Sequence, residues 1–294
     1  MIKIVSGFSF PSGSTVALVN LGNQFNERGH ECVFYGPNKW HRDKCKAADI
    51  AEFHPEEGDI IIVHHIKLFS SADLFKIRDK VGQLRKKTRL DALRDIIQKN
   101  TPGSPKIAGL KIILTCQENG LFPLKRLKYS LFDKIHYADF SLAKYHKITH
   151  SHFICPNFGN RLTPSKTKPE KVAGIIGSIR RENQIESAVE KSFSDGMKTV
   201  ILYGHMSDPV YYYSTIRPLT QKYPGRIKYA GFMDDKQQMY DSISDVYRSV
   251  ARPWSLVRRE CTLTNTMYHG PEACQGESLA DDQIFTVWKN ELGL

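Results

Sequence analysis

The sequence predicts an α/β fold in two halves, and three observations carry that expectation. Short apolar runs of strand length alternate with stretches whose apolar residues recur at helical spacing. The alternation breaks once, at Pro156-Asn157-Phe158-Gly159-Asn160 and a Pro- and Lys-rich connector running to Lys171, and then restarts. In each half the first strand leads through a turn rich in Gly and Ser into a helix. Strands that alternate with helices imply a mostly parallel, doubly wound sheet. The expectation is two Rossmann-like domains, residues 1–156 and 171–294, joined by a linker at 157–170.

In the first half, Ile2–Val5 reads as a strand. Residues 15–28 follow as a helix, with Val16, Leu18, Val19, Leu21 and Phe25 on one side and Gly29 as its stop. Residues 31–35 form the next strand. Residues 59–63 and 111–115 are continuous apolar runs, the pattern of parallel strands buried on both faces. Weaker strands are expected at 134–138 and His152–Ile154. In the second half, strands are expected at Val172–Ile176, Thr199–Tyr203, 226–229 and from Asp245. Helices are expected at 183–193, 209–223, 235–243, 256–264 and Asp281–Leu292, with Asn265 as a left-handed cap.

Composition narrows the class. The 294 residues are 40% apolar and 25% charged, as in an ordinary soluble domain. No stretch approaches the ~18 apolar residues that span a bilayer. The start lacks the apolar core and cleavage site of a secretion signal. Six scattered cysteines form no Cys-x-x-Cys pair, so neither a zinc site nor a disulfide framework is expected, and a cytoplasmic location fits best. The net charge of +11 is uneven: residues 1–156 carry 24 Lys+Arg against 15 Asp+Glu, residues 157–294 carry 18 against 16. The first half should therefore meet something acidic. Within it, residues 76–99 hold nine Lys+Arg against three Asp, with Leu84, Leu90, Leu93, Ile96 and Ile97 near helical spacing. Such a segment is either an ordinary surface helix or a basic amphipathic one for an anionic membrane. No helix-turn-helix, finger or RNP pattern accompanies the charge, so no nucleic-acid partner is expected.

Ligands of open α/β sheets bind beyond the C-terminal ends of the strands. Three segments fall there. Gly7-Phe8-Ser9-Phe10-Pro11-Ser12-Gly13-Ser14-Thr15 precedes the first helix and is either a tight turn or an anion cradle. It lacks the dinucleotide Gly-x-Gly-x-x-Gly spacing, which argues against NAD. Gly177-Ser178-Ile179-Arg180-Arg181 exposes backbone N–H groups beside two arginines, a pairing suited to a diphosphate. Arg252-Pro253-Trp254-Ser255-Leu256-Val257-Arg258-Arg259-Glu260 is a loop entering a helix. There Glu260, expected in the first turn, is either a partner of the helix dipole or an acceptor for two ribose hydroxyls.

Taken in order, these motifs resemble those of a retaining group-1 glycosyltransferase of the GT-B fold. Arg28-Gly29-His30-Glu31-Cys32 resembles that family's Arg-Gly-His-x-Val before its second strand. Ile154-Cys155-Pro156-Asn157 resembles its Ile-Pro-Asn-Gly before the linker, and Gly231-Phe232 the glycine that ends its diphosphate half-site. Pro253-Trp254-Ser255-Leu256-Val257-x-x-Glu260-Cys261-x-Leu263-x-Asn265-Thr266 resembles Pro-Phe-Gly-Leu-x-x-x-Glu-Ala-x-Ala-x-Gly-Thr-Pro. The resemblance implies two domains facing a central cleft. It implies that Glu260 binds the ribose of a nucleotide-sugar and that Gly177, Ser178 and an arginine, Arg180 or Arg181, hold its diphosphate. Arg252 and Trp254, Ser255, Leu256 and Val257 would face sugar and phosphate, and Gly13, Ser14 and Thr15 would close on the donor. His64, His65, Gln117 and Glu118 would lie on the acceptor side.

Three positions depart from the family pattern. Arg252 stands where the first of two glutamates is usual, Asn183 where a lysine follows the diphosphate glycine, and Gln117 where a histidine ends a first-domain strand. The expected function is sugar transfer from a nucleotide-diphosphate sugar to an acceptor hydroxyl with retention, without metal or other cofactor. The acceptor class stays open among glycan, lipid-linked and protein. The alternative is a degenerate protein that binds nucleotide or sugar without turnover.

Overall fold

In the first sheet, β1 (Ile2–Val5) lies between β2 (Cys32–Gly36) and β4 (Ile60–His64), parallel to both. The order is β3-β2-β1-β4-β5-β6-β7, all parallel, completed by β3 (Ala47–Asp49), β5 (Lys111–Cys116), β6 (Lys134–Tyr137) and β7 (His152–Ile154). The computed structural model describes residues 1–6, 13–36, 44–49, 52–64, 111–117, 132–146, 150–250, 256–271 and 279–294. The basic segment 76–99 lies outside them.

β1, β4 and β5 are mostly apolar because both faces are covered. One core holds Val5, Val63, Leu114, Ile135 and Leu142 of α2 (Phe140–His146). The other holds Ile4, Ile62 and Ile113 against Leu18, Leu21 and Phe25 of α1 (Gly13–Glu27). Gly29, at φ +81°, ends α1 as expected. Between β1 and the start of β4 a buried ion pair joins Lys3 Nζ to Asp59 at 2.6 Å.

The last helix corrects the expected division. The sequence division places α7 (Asp281–Leu292) in the second domain, but it packs on the first sheet. Its Ile284, Trp288 and Leu292, spaced by four, enter the core with Phe25 and Phe153. Lys111 Nζ donates to Leu292 O at 2.6 Å, and Lys134 pairs with Glu291 at 2.6 Å. Helical periodicity announces an apolar stripe but not which sheet receives it. The chain forms two compact units, Met1–Phe158 with Cys274–Leu294, and Gly159–Ala273.

The second unit repeats the plan in a parallel sheet of order β10-β9-β8-β11-β12. Its strands are β8 (Val172–Ile176), β9 (Thr199–Tyr203), β10 (Ile227–Gly231), β11 (Asp245–Tyr247) and β12 (Met267–His269). The helices are α3 (Ile185–Ser194), α4 (residues 209–222), α5 (Lys236–Asp241) and α6 (Leu256–Leu263). In α4 a π-wound turn, Tyr212–Ile216, precedes Pro218, whose ring and missing N–H disfavour a regular α turn there. Asn265 takes the expected left-handed conformation, φ +54°.

Much of the stretch read as a linker is wall of this unit. Thr163 N and Ser165 Oγ donate to Gln237 and Asp241 of α5. Lys168 Nζ donates to Tyr240 O, Ile243 O and Thr266 Oγ1, satisfying carbonyls at the C-terminal end of α5.

Candidate functional site

The C-terminal tips of β8, β9 and β10 are laced together by backbone. Gly177 N donates to Tyr203 O at 2.9 Å, Ile179 N to His205 O at 2.8 Å, and Gly204 N to Gly231 O at 2.8 Å. Gly204 sits where two loops cross: a Cβ on it would lie 2.0 Å from Gly177 O. Its φ of +143° also favours glycine. Asn183, in the position of the family's lysine, donates from Nδ2 to Ser178 O at 2.6 Å and so fastens the same turn.

Gly177, Ser178 and Asn183 share a pocket with Tyr247, Arg248 and Ser249 from the tip of β11. Arg248 is the residue that sequence reasoning missed. It is half-buried, and desolvation lowers its pKa from the ordinary arginine value. Of the arginines that were expected, Arg180 is half-buried, with Nε lacking a hydrogen-bond partner and 3.9 Å from Glu182. Arg181 is exposed. Neither lines the pocket.

Glu260 forms a second cluster. It lies five residues into α6, one turn deeper than expected, and is only 3% exposed. Tyr240 OH donates to its Oε2 at 2.7 Å and Asn160 Nδ2 to its Oε1. Burial pushes the Glu260 carboxyl above the usual carboxylate range, against the pull of Tyr240, Asn160 and the Lys236 charge. It is therefore no surface partner of a helix dipole. Lys236 Nζ stands 4.6 Å over the Phe232 ring, which stacks on His205 with centroids 4.7 Å apart. Glu260 does not line the Gly177 pocket. Leu256 and Val257 begin α6, half-buried; Arg252, Trp254 and Ser255 lie outside the described residues.

In the first unit, Gly13 is exposed at the start of α1, and Ser14 and Thr15 are buried. His64 is 1% exposed at the tip of β4, with Nδ1 2.9 Å from Ser6 Oγ. Burial pushes its pKa down to about 3, so the imidazole is neutral. Gln117 ends a hydrogen-bonded relay. His136 Nε2 lies 2.7 Å from Cys155 O, which only accepts, so Nε2 carries the proton and Nδ1 accepts from Thr115 Oγ1 at 2.7 Å. Thr115 accepts from Gln117 Nε2 at 2.9 Å, and Gln117 Oε1 from Asn157 Nδ2. Burial holds His136 down at about 4, hence neutral. His65, Glu118 and the turn from Gly7 to Ser12 lie outside the described residues.

No group of His, Cys, Asp or Glu among the described residues is arranged to hold a metal ion. No helix among them is long and apolar enough to cross a membrane.

No protein-family model matches the chain, and no curated protein matches its sequence. Solved structures match its fold. Alr3699/HepE of Anabaena, in complex with UDP-glucose, superposes with a TM-score of 0.61 at 12% identity, over 92% of this chain and 80% of that one. AviGT4, a glycosyltransferase involved in avilamycin A biosynthesis, gives 0.59 at 12% identity, over 99% and 88%. An α-glucosyltransferase in complex with UDP and a 13-mer DNA gives 0.62 at 9% identity, over 92% and 78%. The chain thus has the α/β fold of the GT-B glycosyltransferases.

Proposed function

We propose that the protein transfers a sugar from a nucleotide-diphosphate sugar to an acceptor hydroxyl. One observation carries this reading. The second unit holds the Gly177-Ser178 turn and the half-buried cation Arg248 in one pocket at the C-terminal ends of its strands, and carries the buried carboxylate Glu260 beside Tyr240. Similar folds have been solved with UDP or UDP-glucose.

In this reading the Ser178 N–H and Arg248 hold the diphosphate, with Gly177, its own N–H committed to Tyr203 O, shaping the turn, and Arg180 and Arg181 at its rim. Glu260 accepts the ribose hydroxyls, and residues 252–257 face sugar and phosphate. Gln117, Glu118, His64 and His65 belong to the acceptor side. The acceptor oxygen bonds to C1 of the sugar on the face the phosphate leaves, so configuration is retained. The C1–O electron pair departs with the nucleotide, and the leaving phosphate takes the acceptor proton. His64, buried and neutral, is an orienting group in this scheme rather than the base. Positive charge from arginine stabilises the departing diphosphate without a metal.

Asn183 favours a second reading. Where the family's lysine would reach the phosphates, Asn183 is used to fasten the turn, as in a protein that binds nucleotide without turnover. A thermal-shift screen against UDP, GDP, ADP, CMP and their sugars separates the cases when coupled to product analysis. A ligand at 100 times its Kd stabilises by about 2.7 kcal/mol. Stabilisation with release of nucleotide and a glycosylated or hydrolysed product supports transfer. Stabilisation without turnover against any glycan, lipid-linked or protein acceptor supports the second reading, and no stabilisation refutes both.

A further inference from the structure

Glu260 is held from two sides by parts of the chain far apart in sequence. Tyr240, fully buried on α5, donates to Oε2 at 2.7 Å, and Asn160, at the start of the second unit, donates to Oε1. Neither donor is loosely placed. α5 is capped by Asp235, whose carboxylate accepts from Gln238 N at 2.9 Å. The segment after Asn160 is fastened to α5 through Thr163, Ser165 and Lys168. One donor per oxygen fixes both the position and the plane of the carboxylate. A carboxylate oxygen accepts about two hydrogen bonds, so each oxygen keeps a lone pair for a further donor.

We infer that Asn160 and Tyr240 are positioning residues of the nucleotide site, setting the Glu260 carboxylate for the paired 2′- and 3′-hydroxyls of a ribose. The inference rests on the reading of Glu260 as the ribose ligand. A vicinal diol presents two donors at fixed spacing, and a carboxylate whose plane is set in advance meets both without reorganising. The same two donors favour the ionised form. The titratable groups facing Glu260 are Lys236 and Tyr240 of α5 and Cys261 on its own helix, with Arg248 beyond Tyr240. Of these, Lys236 and the Tyr240 hydroxyl oppose the effect of burial. Removing either hydrogen bond therefore costs orientation and ionisation together.

The test compares Tyr240→Phe, Asn160→Ala and Glu260→Gln with the wild type. UDP and 2′,3′-dideoxy-UDP are titrated calorimetrically from about pH 4 to 8. The expected result is a UDP Kd raised about tenfold in each variant, the loss of one hydrogen bond to a charged acceptor. The acid midpoint for UDP binding should move to higher pH in Tyr240→Phe and Asn160→Ala. Affinity for 2′,3′-dideoxy-UDP should stay unchanged in all three, a selectivity that a merely structural defect does not produce. If Glu260→Gln weakens UDP while Tyr240→Phe and Asn160→Ala keep the wild-type Kd and midpoint, the inference fails and the ribose reading stands. If Glu260→Gln binds UDP as the wild type does, or the wild type does not bind UDP, the ribose reading fails and the inference with it. Equal losses for UDP and its dideoxy analogue overturn the inference as well. Asn160→Ala changes a half-buried side chain, so the test survives if Tyr240→Phe does not fold.

Discussion

Replacing Gly204 by Ala should damage the nucleotide site more than a single methyl group suggests. The new Cβ would lie 2.0 Å from Gly177 O, 2.6 Å from Gly177 C and 3.2 Å from Ser178 N. All three are backbone atoms of the turn proposed to face the diphosphate, so no side chain can swing aside. Relief requires roughly 1 Å of backbone movement, since carbon–oxygen contacts are comfortable near 3.3 Å. Two costs add. A φ of +143° costs an L-residue of the order of 1–3 kcal/mol. Overpacking a tight contact costs a further ~1–3 kcal/mol. The expected loss of about 2–6 kcal/mol should lower Tm by roughly 5–15 °C in differential scanning fluorimetry. It should also weaken UDP binding at least tenfold, because the peptide that moves is the one that meets the ligand. A Gly204→Ala protein with wild-type Tm and UDP affinity would refute the crossing-loop account. Loss of stability with unchanged affinity would remove the Gly177 turn from the binding site.

Other consequences are open to direct measurement. Binding of UDP-glucose should fall as pH drops through a midpoint above the ordinary glutamate value, because burial raises the Glu260 carboxyl and the ribose needs it ionised; the limb should vanish in Glu260→Gln, with affinity lower by about 1–3 kcal/mol at neutral pH. Asp59→Ala should cost about 3–5 kcal/mol by stranding the buried Lys3 ammonium. Chemical denaturation reads that loss, and nucleotide affinity should be untouched because neither residue belongs to the second unit, which carries the Gly177 turn and Glu260. If residues 76–99 form a basic amphipathic helix, anionic vesicles should sediment the protein at low salt and release it near ~0.5 M salt. Equal recovery with neutral vesicles, or after replacing Arg85, Lys86, Lys87 and Arg89 by Gln, would count against it.

The long strands were legible because burial on both faces leaves an unbroken apolar run, as in residues 60–63 of β4 and 112–114 of β5. β3 and β12 were not, being three residues each and only partly covered. The glycine turn after β8 was found because strand–Gly–Ser–helix is a local pattern, but its lock was not. Gly204 and Asn183 matter through a loop crossing that no window along the chain contains. Arg248 went unnoticed because a cation after a short strand looks like a solvated surface residue. Its place just past Tyr247, at the C-terminal end of β11, was the available signal. Glu260 was singled out, yet its burial depends on Tyr240 and Asn160, 20 and 100 residues away. Tyr240 itself reads as one more core aromatic.

The relay that ends at Gln117 has a direction, and a single atom sets it. Cys155 O can only accept, so each group from His136 to Asn157 must turn one way. The last donor, Asn157, follows that carbonyl by two residues, so the circuit closes on the strand exit where it began. Residue 117 must therefore give a hydrogen on one side and receive one on the other. Glutamate, which when ionised has nothing to give, would set two acceptors face to face at Thr115. Glutamine fills both roles with one planar amide and keeps a further N–H and a lone pair. Thr115 and Asn157 hold that amide plane from its two ends, and the amide itself carries no charge at any ordinary pH.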